Sequence, residues 1–325
     1  MRFIARRLGM YLIAAWAAIT LNFILPRTMP GNPATTLFAS MRGQLQPQEL
    51  SSLKAAYGLS NAPMWQQYLS YLGQVLHGNF GISLSHFPTP VVDVIGVALR
   101  WTLLLGLTSL VLSCLIGTVL GAIAAWRRNG LVDSLLPPIL MFVGSFPYFF
   151  LALIFLYVLG LELNWFPHGN AFGDQVTPGL NLPFIRSVIF HLILPAATII
   201  LVAVGGWLIR MRNTMIGVLA EDYLTVAEAK GLSQMRIMLR YAARNALLPT
   251  VTSFGMNLGF IFSGQLLTEI VFSWPGLGYQ LLQAVSGQDY PLLQALFLII
   301  TITVLLANLL VDIVYVRLDP RARAA

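Results

Sequence analysis

Six predominantly apolar runs, each free of Asp, Glu, Lys and Arg, follow one another along the chain. They lie between Arg7 and Arg27, Trp101 and Arg127, Asp133 and Glu162, Arg186 and Arg210, Arg244 and Glu269, and Asp289 and Asp312. A helix needs about 20 such residues to cross the hydrocarbon core of a bilayer. Helices also satisfy their own backbone hydrogen bonds, which lipid cannot do for them. The pattern predicts an all-α integral membrane protein with six transmembrane helices. Composition points the same way: 57% of residues are hydrophobic and 10% charged, against about 25% charged in soluble domains. The first run exceeds the 7–15 residues of a signal-peptide core, so it is read as a span.

Charge sets the expected orientation. The net charge of +7 is spread between the apolar runs rather than gathered into a patch, which argues against nucleic acid and for lipid headgroups as the partner. With the N-terminus inside, 14 of the 19 basic residues fall on the cytoplasmic side, and Arg27, Arg42, Lys54, Arg100 and Arg186 fall outside. The positive-inside rule then places both termini in the cytoplasm of a multi-pass membrane protein. Cys114, the single cysteine, allows no internal disulfide and no Cys-based metal site.

The chain divides into 1–28, an N-terminal tail and first helix; 29–96, an extracytoplasmic segment; and 97–325, a core that holds helices two to six. The core includes a cytoplasmic segment at 211–249 and a re-entrant scoop at 273–288. In the outer segment, Pro47 is placed to open a helix with Leu50, Leu53 and Tyr57 on its apolar side, closing at Gly58. A second helix is expected from Trp65 through Leu69, Leu72 and Leu76, closing at Gly78. Such helices serve either as a lid on the membrane surface or as a docking surface for an external partner. Gly205-Gly206 in the fourth run suits close helix packing.

Two segments stand apart. From Asp222 to Pro249 the chain reads as two short helices, with Gly231 suited to the left-handed position that ends the first and Ser233 to the cap of the second. Small alanines beside the glycine permit close approach of another protein; a solvated connecting loop is the plainer reading. Glu228, Lys230, Arg236 and Arg240 either pair across an interface or stay solvated. The stretch Ser273–Gln288 is too Gly- and Pro-marked to be read as a helix, and non-helical backbone at membrane depth needs protein or a water cavity to satisfy it. Glu269, at its start, either faces a hydrated path or ties down the scoop backbone. His77, His86, His168 and His191 are scattered, so no metal site is expected, and no clustered nucleophile set marks a catalytic residue. Neither Lys54 nor Lys230 follows a glycine, which rules out a P-loop.

Taken in order, a series of short motifs resembles the dipeptide/oligopeptide/nickel permeases among the ATP-binding-cassette importers, over essentially the whole chain. It begins with Leu25-Pro26 through Pro30-Gly31-Asn32-Pro33, then Tyr57-Gly58-Leu59, Gln67-Tyr68-Leu69 and Gly78-Asn79-Phe80-Gly81. It continues with Ala229-Lys230-Gly231-Leu232, Arg244-Asn245-Ala246-Leu247-Leu248-Pro249 and, most specifically, Glu269 through Trp274-Pro275-Gly276-Leu277-Gly278. Asp289-Tyr290-Pro291, Asn308 through Asp312, and Leu318-Asp319-Pro320-Arg321 close it. Thr225 and Val226 depart from the family's Glu-Ala, Ala243-Arg244 replaces its distal Leu-Pro, and Asn32 and Asn79 stand where Asp is common.

The resemblance implies a type I importer permease fold, in a bacterial inner membrane. It implies that Ala227, Glu228, Ala229, Lys230, Gly231, Arg236 and Arg240 couple the chain to a cytoplasmic ATPase. Glu269, Trp274, Pro275, Gly276 and Gly278 become candidates for the scoop and translocation path. The partners it implies are a second homologous permease, two ATPase domains that bind ATP and Mg, and an extracytoplasmic solute-binding protein. The chain itself then carries no cofactor and is no enzyme. Peptide is the leading substrate class, with oligosaccharide or nickel as family alternatives. An ion-driven secondary transporter would want ionisable residues at mid-span and an inverted repeat, and a membrane enzyme a nucleophile cluster; neither pattern is visible.

Overall fold

The computed structural model describes residues 2–28 and 63–318. They form helices joined by turns and by two longer loops, 77–90 and 163–181, and the single β-bridge among them, Ile82 to Pro90, stands alone. The expected helix from Pro47 to Gly58 lies outside the described residues. The chain divides into two compact units, one of residues 1–102 with 275–325 and the other of residues 103–274.

In the first unit, α1 (Arg2–Thr28) is an apolar helix. Next comes α2 (Met64–Leu76), where the sequence places the second outer helix. Its inward side carries tyrosines, not the leucines whose spacing marks the helix. Tyr68 and Tyr71 stack against Phe23 at ring-centroid distances of 5.2 and 5.6 Å, and the Tyr68 hydroxyl lies 2.8 Å from Thr20 Oγ1. Trp65, Leu69 and Leu76 stay exposed. Aromatic rings carry more contact area than leucine, and their hydroxyls reach polar partners on α1.

α3 (Val91–Trp126) begins in the first unit and runs into the second. There its two faces are inverted relative to a soluble helix. Leu107, Val111, Leu115 and Val119, four residues apart, point outward, while Ser109, Ser113, Gly117 and Gly121 face inward. Large apolar groups against lipid and small ones between helices is the arrangement expected in a membrane, where association rests on close packing.

α4 (Leu131–Gly144) and α5 (Tyr148–Phe155), which continues through wide π-helical turns over Leu156–Glu162, meet at 91°. The break falls at 145–147, where Pro147 lacks the N–H a continuing helix would need. α6 (Leu182–Leu219) is the longest helix, on the order of 57 Å at about 1.5 Å per residue. Asn181 caps it, its side-chain oxygen accepting the Phe184 N–H at 2.8 Å. α7 (Asp222–Ala229) and α8 (234–246) follow, then α9 (Leu248–Gly264) and α10 (Leu266–Val271).

In the first unit the chain ends with α11 (Leu277–Ser286) and α12 (Tyr290–Leu318). α11 corrects the reading of 273–288 as too interrupted for a helix. Pro275 and Gly276 precede the helix rather than break it, and Gly278 sits in its first turn, where a glycine costs little.

Among the described residues, α3 and α6 are each long and apolar enough to cross a membrane, and α4 with α5 makes a third span if the bent pair counts as one. Gly9–Ile24 and Tyr290–Leu306 are shorter apolar helices. The run 245–268 is divided between α9 and α10 at Gln265.

Candidate functional site: the α7–α8 helix pair and the helices beneath it

α7 ends in the motif that Gly231 suggests. Gly231 has φ +71°, its N–H donates to Glu228 O at 2.8 Å, and the Leu232 N–H donates to Ala227 O at 3.4 Å. These are the two bonds of a Schellman cap, with Leu232 and Ala227 as its accompanying apolar pair. Ser233 occupies the position before α8 in extended conformation, but its side chain makes no capping bond there; the expectation of a side-chain cap is thus corrected. Tyr223 joins the two helices: its hydroxyl accepts from Asn245 Nδ2 at 2.8 Å and donates to Tyr241 O at 3.4 Å.

The pair is seated by apolar packing. Leu224 and Ala227 of α7 and Ile237, Ala242, Ala243 and Ala246 of α8 share one buried cluster with Met211 and Met215 of α6 and Ala122 and Ala125 of α3. Ala227 is 3% exposed, so it belongs to this seat and not to the outer face of the pair. Glu228, Ala229, Lys230, Gly231, Arg236 and Arg240 are exposed, together with Val226, Met235 and Leu239. Among the described residues the four charged side chains make no ion pair with one another. The outer face of the pair is therefore a mixed apolar and cationic surface on a rigid base.

Below the seat, the helices meet at backbone contact. A Cβ added at Gly117 would lie 2.5 Å from Trp207 Cβ and 2.7 Å from Val204 O. One added at Gly121 would lie 2.9 Å from Met211 Cβ and 3.1 Å from Arg212 N. On the other side of α6, a Cβ at Gly205 would come within 2.8 Å of Leu140 O. Gly205 thus does the close packing expected of it, whereas Gly206 has nothing within 4 Å. Gly117 and Gly121 were missed, though their G-x-x-x-G spacing was a readable signal.

Arg212 donates from Nε to Asp133 Oδ1, and its Nη2 donates to Oδ2 at 3.1 Å; the Asn129 N–H also donates to Oδ2, at 3.0 Å. This fork ties the turn before α4 to the end of α6. No sequence signal marks it, because its partners are 79 positions apart.

The scoop candidates divide between the units. Glu269 and Trp274 are wholly buried in the second unit, so Glu269 lines no open path in this conformation. The Trp274 N–H donates to Glu269 O at 2.8 Å, and Phe272 O accepts from the Asn170 N–H at 3.0 Å. In the first unit, Pro275 and Gly276 lead into α11, where the Leu277 N–H donates to Thr102 Oγ1 at 2.8 Å and Gly278 is buried. Asp289, fully buried, accepts from Ser83 Oγ at 2.5 Å, the Ser85 N–H at 2.9 Å and the Leu292 N–H at 3.1 Å. It fastens the stretch before α3 to the start of α12. Among the described residues no three His, Cys, Asp or Glu side chains gather as metal ligands would. His168 and His191 each bond a local carbonyl, Gly160 O at 3.0 Å and Ser187 O at 2.7 Å.

Residues 117–324 match the family described as "Binding-protein-dependent transport system inner membrane component". The chain is 33% identical to the dipeptide transport system permease protein DppB of Escherichia coli (strain K12), over 99% of each chain. It is 34% identical to the oligopeptide transport system permease protein AppB of Bacillus subtilis (strain 168), over 98% of each. It is 33% identical to the di/tripeptide transport system permease protein DppB of Pseudomonas aeruginosa (strain UCBPP-PA14), over 99% of this chain and 98% of the other. The resemblance read from the motif series holds along the full chain, and the protein belongs to the inner membrane components of binding-protein-dependent transport systems.

Proposed function

We propose that this chain is a permease subunit of an ATP-driven peptide importer, and that α7 and α8 are the element through which an ATPase drives it. The observation that carries the reading is the helix pair: an exposed apolar and cationic face, on a base packed against the ends of α3 and α6. Such a pair transmits a rigid-body motion without chemistry of its own. The names of the full-length relatives supply peptide as the substrate class.

In this reading the chain crosses the membrane six times with both ends cytoplasmic. It pairs with a second, related permease and receives solute from an extracytoplasmic binding protein. Two cytoplasmic ATPase domains hold ATP and Mg. Glu228, Ala229, Lys230, Gly231, Arg236 and Arg240 face the ATPase; Ala227 holds the pair in place from beneath.

Uptake of dialanine and ATP hydrolysis, measured side by side on the complex in proteoliposomes, test the assignment. Ala229→Trp and Gly231→Val are expected to reduce uptake sharply, while substrate capture by the separate binding protein is unchanged. Wild-type uptake and coupling in both variants would reduce α7–α8 to a connecting loop. Topology is read separately in a Cys114→Ser background: a cysteine at Gln288 reacts with an impermeant reagent from outside, and one at Gln234 does not.

A further inference from the structure

α4, α6 and α9 line an open cavity of about 390 Å³ within the second unit, with Ser145 and Arg210 exposed in it; its volume is in the range of about 300–1,000 Å³ typical of small-molecule sites. Leu140, Met141 and Val202 give it apolar walls, and Ser145, Arg210 and Asn257 are its polar members. Arg210 is held from behind. Its Nη1 donates to Ser253 Oγ at 2.6 Å, and its guanidinium carbon lies 5.9 Å from the centre of the Trp207 ring. Asn257 Nδ2 donates to Ser253 O at 2.8 Å, which fixes that amide beside the arginine.

Arg210 and Arg212 lie two residues apart and are used differently. Arg212 spends its fork on Asp133. Arg210 pairs with no carboxylate among the described residues; its hydrogen-bond partner is the neutral Ser253 hydroxyl. A guanidinium carries five N–H donors in a plane that matches a carboxylate two-to-two. A cation backed by an aromatic ring, beside an oriented amide, in an otherwise apolar cavity, is suited to an anionic group carried on a small polar chain. A cation that merely anchored the protein to lipid would need neither the cavity nor the amide.

We propose that this cavity is a subsite for the C-terminal carboxylate of a peptide in transit, with Arg210 binding the carboxylate and Asn257 the adjoining amide. The proposal rests on the peptide-importer reading above. Ser145 lines the same cavity and serves as the reporter position.

The test uses this chain assembled with its partner permease and ATPase subunits in proteoliposomes, without the external binding protein and with peptide on both faces. Ser145→Cys is introduced in a Cys114→Ser background, and its rate of reaction with N-ethylmaleimide is followed. Dialanine is expected to slow the reaction, and alanyl-alaninamide, which lacks the carboxylate, is not. Arg210→Gln is expected to raise the half-protecting concentration of dialanine roughly 10- to 100-fold, the loss of a charge-assisted bond; Arg210→Lys is expected to retain part of the protection. Equal protection by acid and amide, or unchanged protection in Arg210→Gln, would overturn the proposal. So would protection that follows the phosphatidylglycerol content of the vesicles instead of the peptide, since Arg210 would then be a headgroup anchor. If Arg210→Gln does not assemble, the acid-against-amide comparison in the protein that retains Arg210 still decides. A complete transporter that fails to import dialanine refutes the peptide-importer reading. One that imports it, with acid and amide treated alike in the cavity, refutes the subsite alone.

Discussion

The contact between α3 and α6 makes a prediction whose sign depends on which glycine is replaced. At Gly117 an added methyl group would sit 2.5 Å from Trp207 Cβ and 2.7 Å from Val204 O, where carbon contacts prefer about 3.5–4.0 Å. At Gly121 it would meet Leu208 O and Met211 Cβ, the latter at 2.9 Å. These neighbours are backbone atoms and Cβ atoms, which cannot swing aside, so the helices must part by roughly 1 Å. Overpacking of this kind costs about 1–3 kcal/mol. Replacing glycine by alanine inside a helix returns about 1 kcal/mol, which leaves Gly117→Ala and Gly121→Ala destabilised by up to about 2 kcal/mol each. Gly206 and Gly217 on α6 have nothing within 4 Å of an added Cβ, so alanine there gains the propensity and loses nothing. The assay is the midpoint of thermal inactivation in detergent, read as the monodisperse fraction that survives heating. The midpoint should fall for Gly117→Ala and Gly121→Ala and hold or rise for Gly206→Ala and Gly217→Ala. A common shift in all four would mean that α3 and α6 do not meet at backbone contact.

Three further outcomes follow from single contacts. Arg212→Ala leaves the Asp133 carboxylate, 5% exposed, without its fork, while the lost arginine was 24% exposed. The cost should fall near 2 kcal/mol, between the roughly 1 kcal/mol of surface pairs and the 3–5 of buried ones, and is read as a lowered melting midpoint that Arg212→Lys restores only in part. Leu224→Ala opens a hole beneath α7 and should cost about 2–5 kcal/mol, seen as faster proteolysis within 222–246. Asp289→Ala removes the acceptor of the Ser83 hydroxyl and the Ser85 N–H and should cost about 1–3 kcal/mol, with faster amide exchange around Ser85 than in α6.

Much of the fold was legible because lipid imposes a simple rule on composition. The apolar runs mark where helices form, and Gly231 marked the end of α7 because a left-handed residue with a Cβ is strained by roughly 1–2 kcal/mol. What escaped was set by partners distant in sequence. The run 134–161 read as one span, yet it folds as two helices at 91°; Pro147 was visible, but a proline is equally compatible with a mild kink. Ala227 looked like an interface residue because it is small and lies beside the turn. Its inward direction follows from the phase of α7 against Met211 and Met215, which no local pattern reveals. On α2 the leucine spacing marked the helix but not its inward side, which the two tyrosines occupy because Phe23 and Thr20 on α1 offer them ring and hydroxyl partners.

These contacts also bear on how several helices meet at one level of α6. Gly121 of α3 approaches Leu208, Met211 and Arg212. Arg212 holds Asp133 at the start of α4, and Met211 and Met215 form the floor on which Leu224 and Ala227 rest. Within about two turns, α6 thus touches α3, α4 and α7. Loosely packed side chains at these points would absorb a push on the α7–α8 pair by changing rotamer. Backbone against backbone, a bidentate ion pair and a close-packed floor offer little such compliance, since interiors packed at this density deform poorly and transmit strain. In the proposed importer, a displacement of the ATPase-facing turn at Gly231 would therefore reach three membrane helices together, and the α4 wall of the Arg210 cavity would move with them. A variant that keeps the fold but softens this level, such as Met211→Ala with Met215→Ala, should leave ATP hydrolysis running while uptake per ATP falls. If uptake per ATP in that variant stays at the wild-type ratio, the motion reaches the helices by another route, and the packing around Met211 serves stability alone.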